Sequence, residues 1–307
     1  MRRLPEGARS QGWCPLRITN GILQREALRS LQQGQQGIAD ARERASTGVR
    51  VATPSDDPVA TSGIMEASGS LRALEQYRRN LSTARTRMAM EDGVLEQMSN
   101  ALIRARELGV SQATATADAN TRQTTKAEID GLIDFVRELG NTKLAGAYLF
   151  GGAYADSEPF ATTTPDPLRP PSGQHQIEVG SGQVVPTNHD GQQIFVDTGV
   201  FAALERLSTG LGNNDVNEIT ASLGDLDNAF QAVQDVIGEL GARMNALDIA
   251  DANIETLDIN LQRLRSDLQD ADIQRAVTEL VARQSTFQAA LLANAEILNT
   301  SLTDFLR

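Results

Sequence analysis

Large aromatic side chains are scarce: Phe, Trp and Tyr make up 4% of the 307 residues, with a single Trp. A globular enzyme of this length fills a thick core with such rings, so their scarcity points to elements that bury only narrow apolar seams. Cysteine occurs once, at Cys14, which excludes an intramolecular disulfide and a cysteine-built zinc cluster within one chain. Lys and Arg are outnumbered by Asp and Glu, giving a net charge of -12, and no basic stripe is present to hold phosphates. Nucleic acid is therefore not an expected partner. No apolar run approaches the roughly 18 to 20 residues that cross a bilayer, so membrane insertion is not expected either. The opening "MRRLPEGARSQGWCP" has charge but no apolar stretch of the kind a cleavable secretory signal needs.

What the chain does contain is helical periodicity. Leu223, Leu226, Phe230, Val233, Ile237, Leu240, Met244 and Leu247 follow alternating steps of three and four residues, the spacing of a heptad seam. Asp251 stands where the next apolar residue is due. The pattern then resumes in shifted phase at Ile254, Leu257, Leu261, Leu264 and Leu268, a skip that alters coiled-coil winding without ending it. Val277, Leu280, Phe287, Leu291, Leu298 and Phe305 continue the frame almost to the C-terminus. In the first half, Leu74, Tyr77, Leu81, Ala84, Met88, Leu95, Met98, Leu102 and Ala105 form a matching seam broken only by Glu91. Ile129, Leu132, Val136 and Leu139 mark a shorter helix, and Leu28, Leu31, Ile38, Ala41 and Ala45 a thinner stripe near the start.

Between the helical halves the texture changes. From Gly151 to Thr198, Gly and Pro cluster in "TTTPDPLRPPSG", short alternations occur in "QIEVG" and "QQIFVD", and "NHDG" signals a turn. A small β-rich insertion is expected there. The fold class is therefore mainly α: a long antiparallel helical coiled-coil rod made from N- and C-terminal segments, with the β-rich insertion between them. The expected division is an extension at residues 1–15, a terminal helical pair from 16–50 plus 285–307, a rod core from 51–150 plus 199–284, and the outer insertion 151–198.

Chemistry finds no constellation. His175 and His189, the only histidines, sit among turn residues without ligand spacing and read as exposed. "LFGG", Leu149 to Gly152, is too short for a phosphate loop, and acids such as Asp267, Asp270 and Asp272 lie on a helix face with no group nearby to tune them. No catalytic, cofactor-binding or metal-binding residue is expected. The acidic stretch "VATPSDDPVA" reads as a helix joint: Asp57 can cap the next helix, Pro58 suits its first position, Asp56 adds charge near the positive helix end, and Pro54 keeps Thr53 out of a helix. The joint residues are Pro54, Ser55, Asp56, Asp57 and Pro58. They are expected to set the angle between the terminal pair and the rod and to offer a loop to neighbouring subunits.

Several of these stretches occur together, in this order, in one known family. "LRITN" (Leu16 to Asn20), "ASTGVRVATPSDDPVA" (Ala45 to Ala60), the helix Leu74 to Ala113, "GAYLFGG" (Gly146 to Gly152) and the segment Asp267 to Arg307 resemble bacterial flagellin-related proteins, in particular the hook-associated branch at the hook-filament junction. The resemblance implies a flagellin-like fold and an extracellular structural subunit. It implies export unfolded, without a cleavable signal, and polymerisation at the hook tip as a ring of identical subunits. Implied partners are a sister hook-associated junction protein, flagellin, an export chaperone and the secretion apparatus. The alternative within the family is flagellin itself, the bulk filament subunit; "TPSDDP" and the short insertion favour the junction branch. Assembly contacts are expected on Ile22, Leu31, Ile38, Phe287, Leu291, Leu298, Leu302 and Phe305, on ends that order only when copies stack. The family's start corresponds to Leu16, so residues 1–15 are expected to be disordered or untranslated. An intact mass that includes them would settle the second point.

Overall fold

The computed structural model describes residues 20–114 and 117–305; for 20, 21, 23, 24 and 296–305 it describes the backbone alone. The expected 1–15 extension, with Trp13 and Cys14, lies outside the described residues. Six α-helices dominate: α1 Asn20–Thr47, α2 Pro58–Gln112, α3 Ala119–Gly140, α4 Val200–Gly212, α5 Val216–Gln269 and α6 Ile273–Phe305. Two short antiparallel ribbons lie between α3 and α4: β1 Lys143–Leu144 with β2 Ala147–Tyr148, and β3 Gln176–Gly180 with β4 Gln183–Pro186. The chain divides into two compact units, one ending at Ser68 and resuming at Gln262, the other spanning Gly69–Leu261. These limits fall inside α2 and α5, not at the joint near residue 50 or at residue 285 as the sequence suggests. The terminal unit keeps both helix junctions: Leu268 packs on Gly63, and the chain after α5 pairs with the chain after α1.

In the 69–261 unit the sequence periodicity becomes an antiparallel α2–α5 pair. Arg78 pairs with Asp258 (3.3 Å), Arg85 with Asp248 and Asp251 (2.8 and 2.9 Å), and Arg106 with Asp227 (2.6 Å), so partners descend as residue numbers rise. Of the α2 seam, Leu74, Leu81, Met88, Leu95, Met98 and Leu102 are buried, and they meet Leu226, Val233, Leu240, Leu247 and Ile254 of α5 in one core. The intervening residues Leu223, Phe230, Ile237 and Met244 are half covered at its margin. Asp251, the interruption of the seam, is the partner that Arg85 reaches across the pair. Asp118 caps α3, its carboxylate accepting from the Thr121 amide at 2.6 Å. Ile129, Val136 and Leu139 turn inward, and α3 packs against α4.

The insertion holds less β structure than its composition suggests. "QIEVG" is β3, but "QQIFVD" is one π-helical turn. Ile194 and Phe195 are adjacent and both buried, which a strand with one covered face cannot arrange but a helical turn can. Half of the chain's eight Phe residues gather here. Phe195 lies 5.2 Å from Phe150, 5.0 Å from Phe160 and 6.0 Å from Phe201, ring centre to ring centre. The scarce aromatic mass is thus concentrated where the backbone is least regular. Gly152 (φ +56°) permits the tight approach of this loop to Ser172, whose carbonyl accepts from the Ala153 amide at 2.9 Å. The lobe begins earlier than residue 151, at β1.

One reading fails outright. His175 is exposed, but His189 is wholly buried, as is Glu91, the acid that breaks the α2 seam. The "NHDG" stretch is not a surface turn. Asn188 and His189 point inward because each finds hydrogen-bond partners there, so their polarity does not force them out.

Candidate functional site

In the terminal unit α1 and α6 run antiparallel, Gly34 facing Phe287 and Gly48 facing Ile273. A Cβ at Gly34 would lie 2.8 Å from Phe287 Cδ2, so the glycine lets the ring seat against the α1 backbone. Ala41 is buried in this pair, Leu31, Ile38 and Phe287 are half covered, and Ile22 (39%) and Leu291 (44%) are exposed. The side chains of Leu298, Leu302 and Phe305 lie outside the described residues.

The pair ends in a double turn that includes the "TPSDDP" stretch. Gly48 closes α1 in a left-handed conformation (φ +71°), its amide donating to the Arg44 carbonyl at 3.0 Å. The chain then crosses the α5–α6 turn: the Arg50 amide donates to the Gln269 carbonyl (2.7 Å) and the Ala271 amide to the Gly48 carbonyl (2.8 Å). Asp272 starts α6, its carboxylate accepting from the Gln274 amide at 3.0 Å. The exits of α1 and α5 are thereby tied to each other by backbone hydrogen bonds, with the start of α6 next to them.

Asp57 and Pro58 behave as the sequence implies. The Asp57 carboxylate accepts from the Ala60 amide at 3.0 Å, and Pro58 is the first residue of α2. Asp56 does something else: its carboxylate turns back and accepts from the amides of Thr53 (2.8 Å) and Ala52 (3.1 Å), closing the loop instead of facing the α2 end. Thr53 and Ser55 share a hydroxyl hydrogen bond at 2.8 Å, and Pro54 and Ser55 are exposed. Arg50 was not singled out by sequence. Its guanidinium donates to the Leu268 carbonyl (2.6 Å) and pairs with Asp57 (3.2 Å), tying the two turns together. A lone cation four residues before the prolines was the available signal. The whole joint lies within the terminal unit, since the division between units falls at Ser68 and not at the joint.

Among the described residues no group of three or more His, Cys, Asp or Glu is placed to hold a metal, and no helix is long and apolar enough to cross a membrane. Hydrogen bonds from the Thr53 amide to Asp56, and from the Ala60 amide to Asp57, hold both carboxyls below the ordinary 3.8. Depressed carboxyls contribute stability above their unfolded value and lose it as pH falls through the folded one. Amide NMR shifts of Ala52, Thr53 and Ala60 should therefore titrate with midpoints below 3.8; midpoints at or above it would contradict the capping geometry.

Residues 18–155 match the bacterial flagellin N-terminal helical region, and residues 223–306 match the bacterial flagellin C-terminal helical region. The chain belongs to the flagellin family. Flagellar hook-associated protein 3 of Escherichia coli is 25% identical over 314 residues, spanning 94% of this chain and 98% of that one. The flagellin of Bacillus subtilis is 26% identical over 310 residues, spanning 95% of this chain and 100% of its own length. The crystal structure of Bacillus cereus FlgL superposes with a TM-score of 0.57 at 21% identity, over 66% of this chain and 99% of that chain, a likeness of fold.

Proposed function

We propose that this chain is the hook-filament junction subunit of a bacterial flagellum, the role named for hook-associated protein 3. It is a structural component of the flagellum, assembles with copies of itself, and meets filament subunits. The observation that carries the junction reading is the end-to-end correspondence with hook-associated protein 3, over 94% of this chain and 98% of the relative. That correspondence includes both helical ends and the lobe between them. The flagellin reading has a comparable overall identity, and the Ser-Asp-Asp-Pro joint, with its second proline opening α2, weighs against it.

Assembly is supported by apolar residues that the terminal unit leaves uncovered: Leu28 (60%), Val59 (81%), Met65 (68%), Val281 (55%) and Leu292 (74%). Such a density of exposed large side chains on one unit marks a surface made to be covered. Ile22, Leu31, Ile38, Phe287 and Leu291 belong to the same interface, and the exposed Pro54–Ser55 tip reaches a neighbouring subunit. The subunit is exported unfolded without a cleaved signal, with a chaperone shielding α6 until it leaves the cell. It forms a ring at the hook tip between a sister hook-associated protein and flagellin.

Two measurements test this. Cells lacking the gene should carry complete hooks without filaments and release filament protein into the medium; normal filaments would end the junction reading. In the purified monomer, amides from Ala289 onward should exchange rapidly, because Leu291 and Leu292 bury so little surface to hold α6 closed. Strong protection there would contradict ordering on assembly.

A further inference from the structure

Glu91 occupies a seam position of α2 between Met88 and Leu95, and all three are wholly buried. A leucine there would complete the seam. The carboxylate instead needs a partner, since a buried unpaired charge costs far more than an absent hydrogen bond. The partner does not come from the facing seam of α5. It comes from the lobe: His189 Nδ1 lies 2.5 Å from Glu91 Oε1, and the His189 amide reaches both Glu91 oxygens at 3.3 Å. Asn188 braces the backbone of this loop, its side-chain amide donating to the His189 carbonyl (3.0 Å) and its side-chain oxygen accepting from the His175 amide (2.7 Å).

The second helix holds the same loop. Arg243 of α5 donates to the Asn188 carbonyl at 3.0 Å and pairs with Glu239 at 2.5 Å. Glu239 Oε2 stands 3.4 Å from His189 Nε2, near but not aligned for a hydrogen bond, so Glu91 is the tie that counts. On α2, Arg87 adds a donor to the Leu149 carbonyl at 2.8 Å.

We propose that Glu91 and His189 form a pin that makes closure of the α2–α5 seam conditional on folding of the 143–198 lobe. Until His189 arrives, the seam would have to close over a bare carboxylate; after it arrives, the lobe has one permitted seat on the pair. The device goes beyond the junction role and does not rest on it.

The test compares the full-length wild-type protein with H189A, E91L and E91L/H189A, by thermal unfolding and amide hydrogen exchange. H189A should lower the melting temperature by about 10 °C, since it strands a buried carboxylate. It should also accelerate exchange in α2 and α5 around residues 84–98 and 229–243, as well as in the lobe. E91L should keep those helices protected while residues 175–190 exchange about tenfold faster, because the lobe loses its anchor but the seam does not. The double variant should recover helix protection relative to H189A. If H189A fails to fold, a folded double variant supports the pin and an unfolded one overturns it. Losses confined to the lobe in H189A, or unchanged lobe exchange in E91L, would also overturn it.

Discussion

Phe195→Ala is expected to remove about 3–5 kcal/mol from the 69–261 unit, the usual cost of emptying a buried phenylalanine site whose walls cannot collapse. Phe195 is wholly buried and its ring is shared by Phe150, Phe160 and Phe201, which come from three separate places in the chain. The rings belong to the same core as the α2–α5 seam, and Phe160 is seated against Gly140 at the end of α3, so the emptied site is walled by helices that are held in place by other contacts. For a unit of this size the loss corresponds to a fall in melting temperature of about 10 °C or more. Leu257→Ala provides the contrast: the side chain is 51% exposed on α5 despite its place in the sequence seam, and its removal should change stability by no more than about 0.5 kcal/mol. A loss below about 1 kcal/mol for Phe195→Ala would show that the rings do not hold the lobe together.

Gly152→Ala should be comparably damaging for a different reason. A left-handed residue other than glycine ordinarily costs about 1–2 kcal/mol. Here the added Cβ would also meet backbone, overlapping the Ser172 carbonyl group and lying 2.5 Å from its carbon and 2.8 Å from its nitrogen. A flexible side chain could swing away; a peptide group held by the Ala153 amide cannot. The loop 150–173 must open, so urea unfolding should report a loss of several kcal/mol, well beyond the conformational cost alone. A loss of about 1 kcal/mol would mean that the loop relaxes without disturbing the aromatic centre.

The helical framework was legible because its signal is repetitive. A missing apolar residue at Asp251 or Glu91 does not erase a seam established by its neighbours, and both acids mark places where a partner crosses: Arg85 for one, His189 for the other. The cap at Asp57 was legible because capping is local, involving an acid, a proline and an amide three residues on. Where partners are distant in sequence, composition misled. His189 looks like a turn residue beside Asp190 and Gly191, and only the fold brings it to Glu91. Arg122 on α3, which no sequence pattern singled out, is buried, donating to the carbonyl of Thr114 at 2.7 Å and to Asn214 beyond α4. The helix α4 itself carried a readable stripe, Val200, Leu204, Leu207 and Leu211, hidden beside the irregular insertion.

The joint shows the same division between local and distant causes. Asp57 and Pro58 follow from their immediate neighbours, whereas Asp56 turns back toward Thr53 because the chain from Arg50 to Val51 is already fixed to Gln269. The turn at Gly48–Arg50 and Gln269–Ala271 closes the base of α1 and α6, which leave Leu28, Val281 and Leu292 exposed. The chain corresponds end to end both with a hook-associated protein 3 and with a flagellin, so the decisive distinction is position along the flagellum.

Immunogold electron microscopy of intact flagella, with antibody raised against the 69–261 unit, tests that position most directly. Gold confined to a single band where the hook ends and the filament begins is the predicted result. Gold distributed along the length of the filament would contradict the junction assignment and make this chain a flagellin.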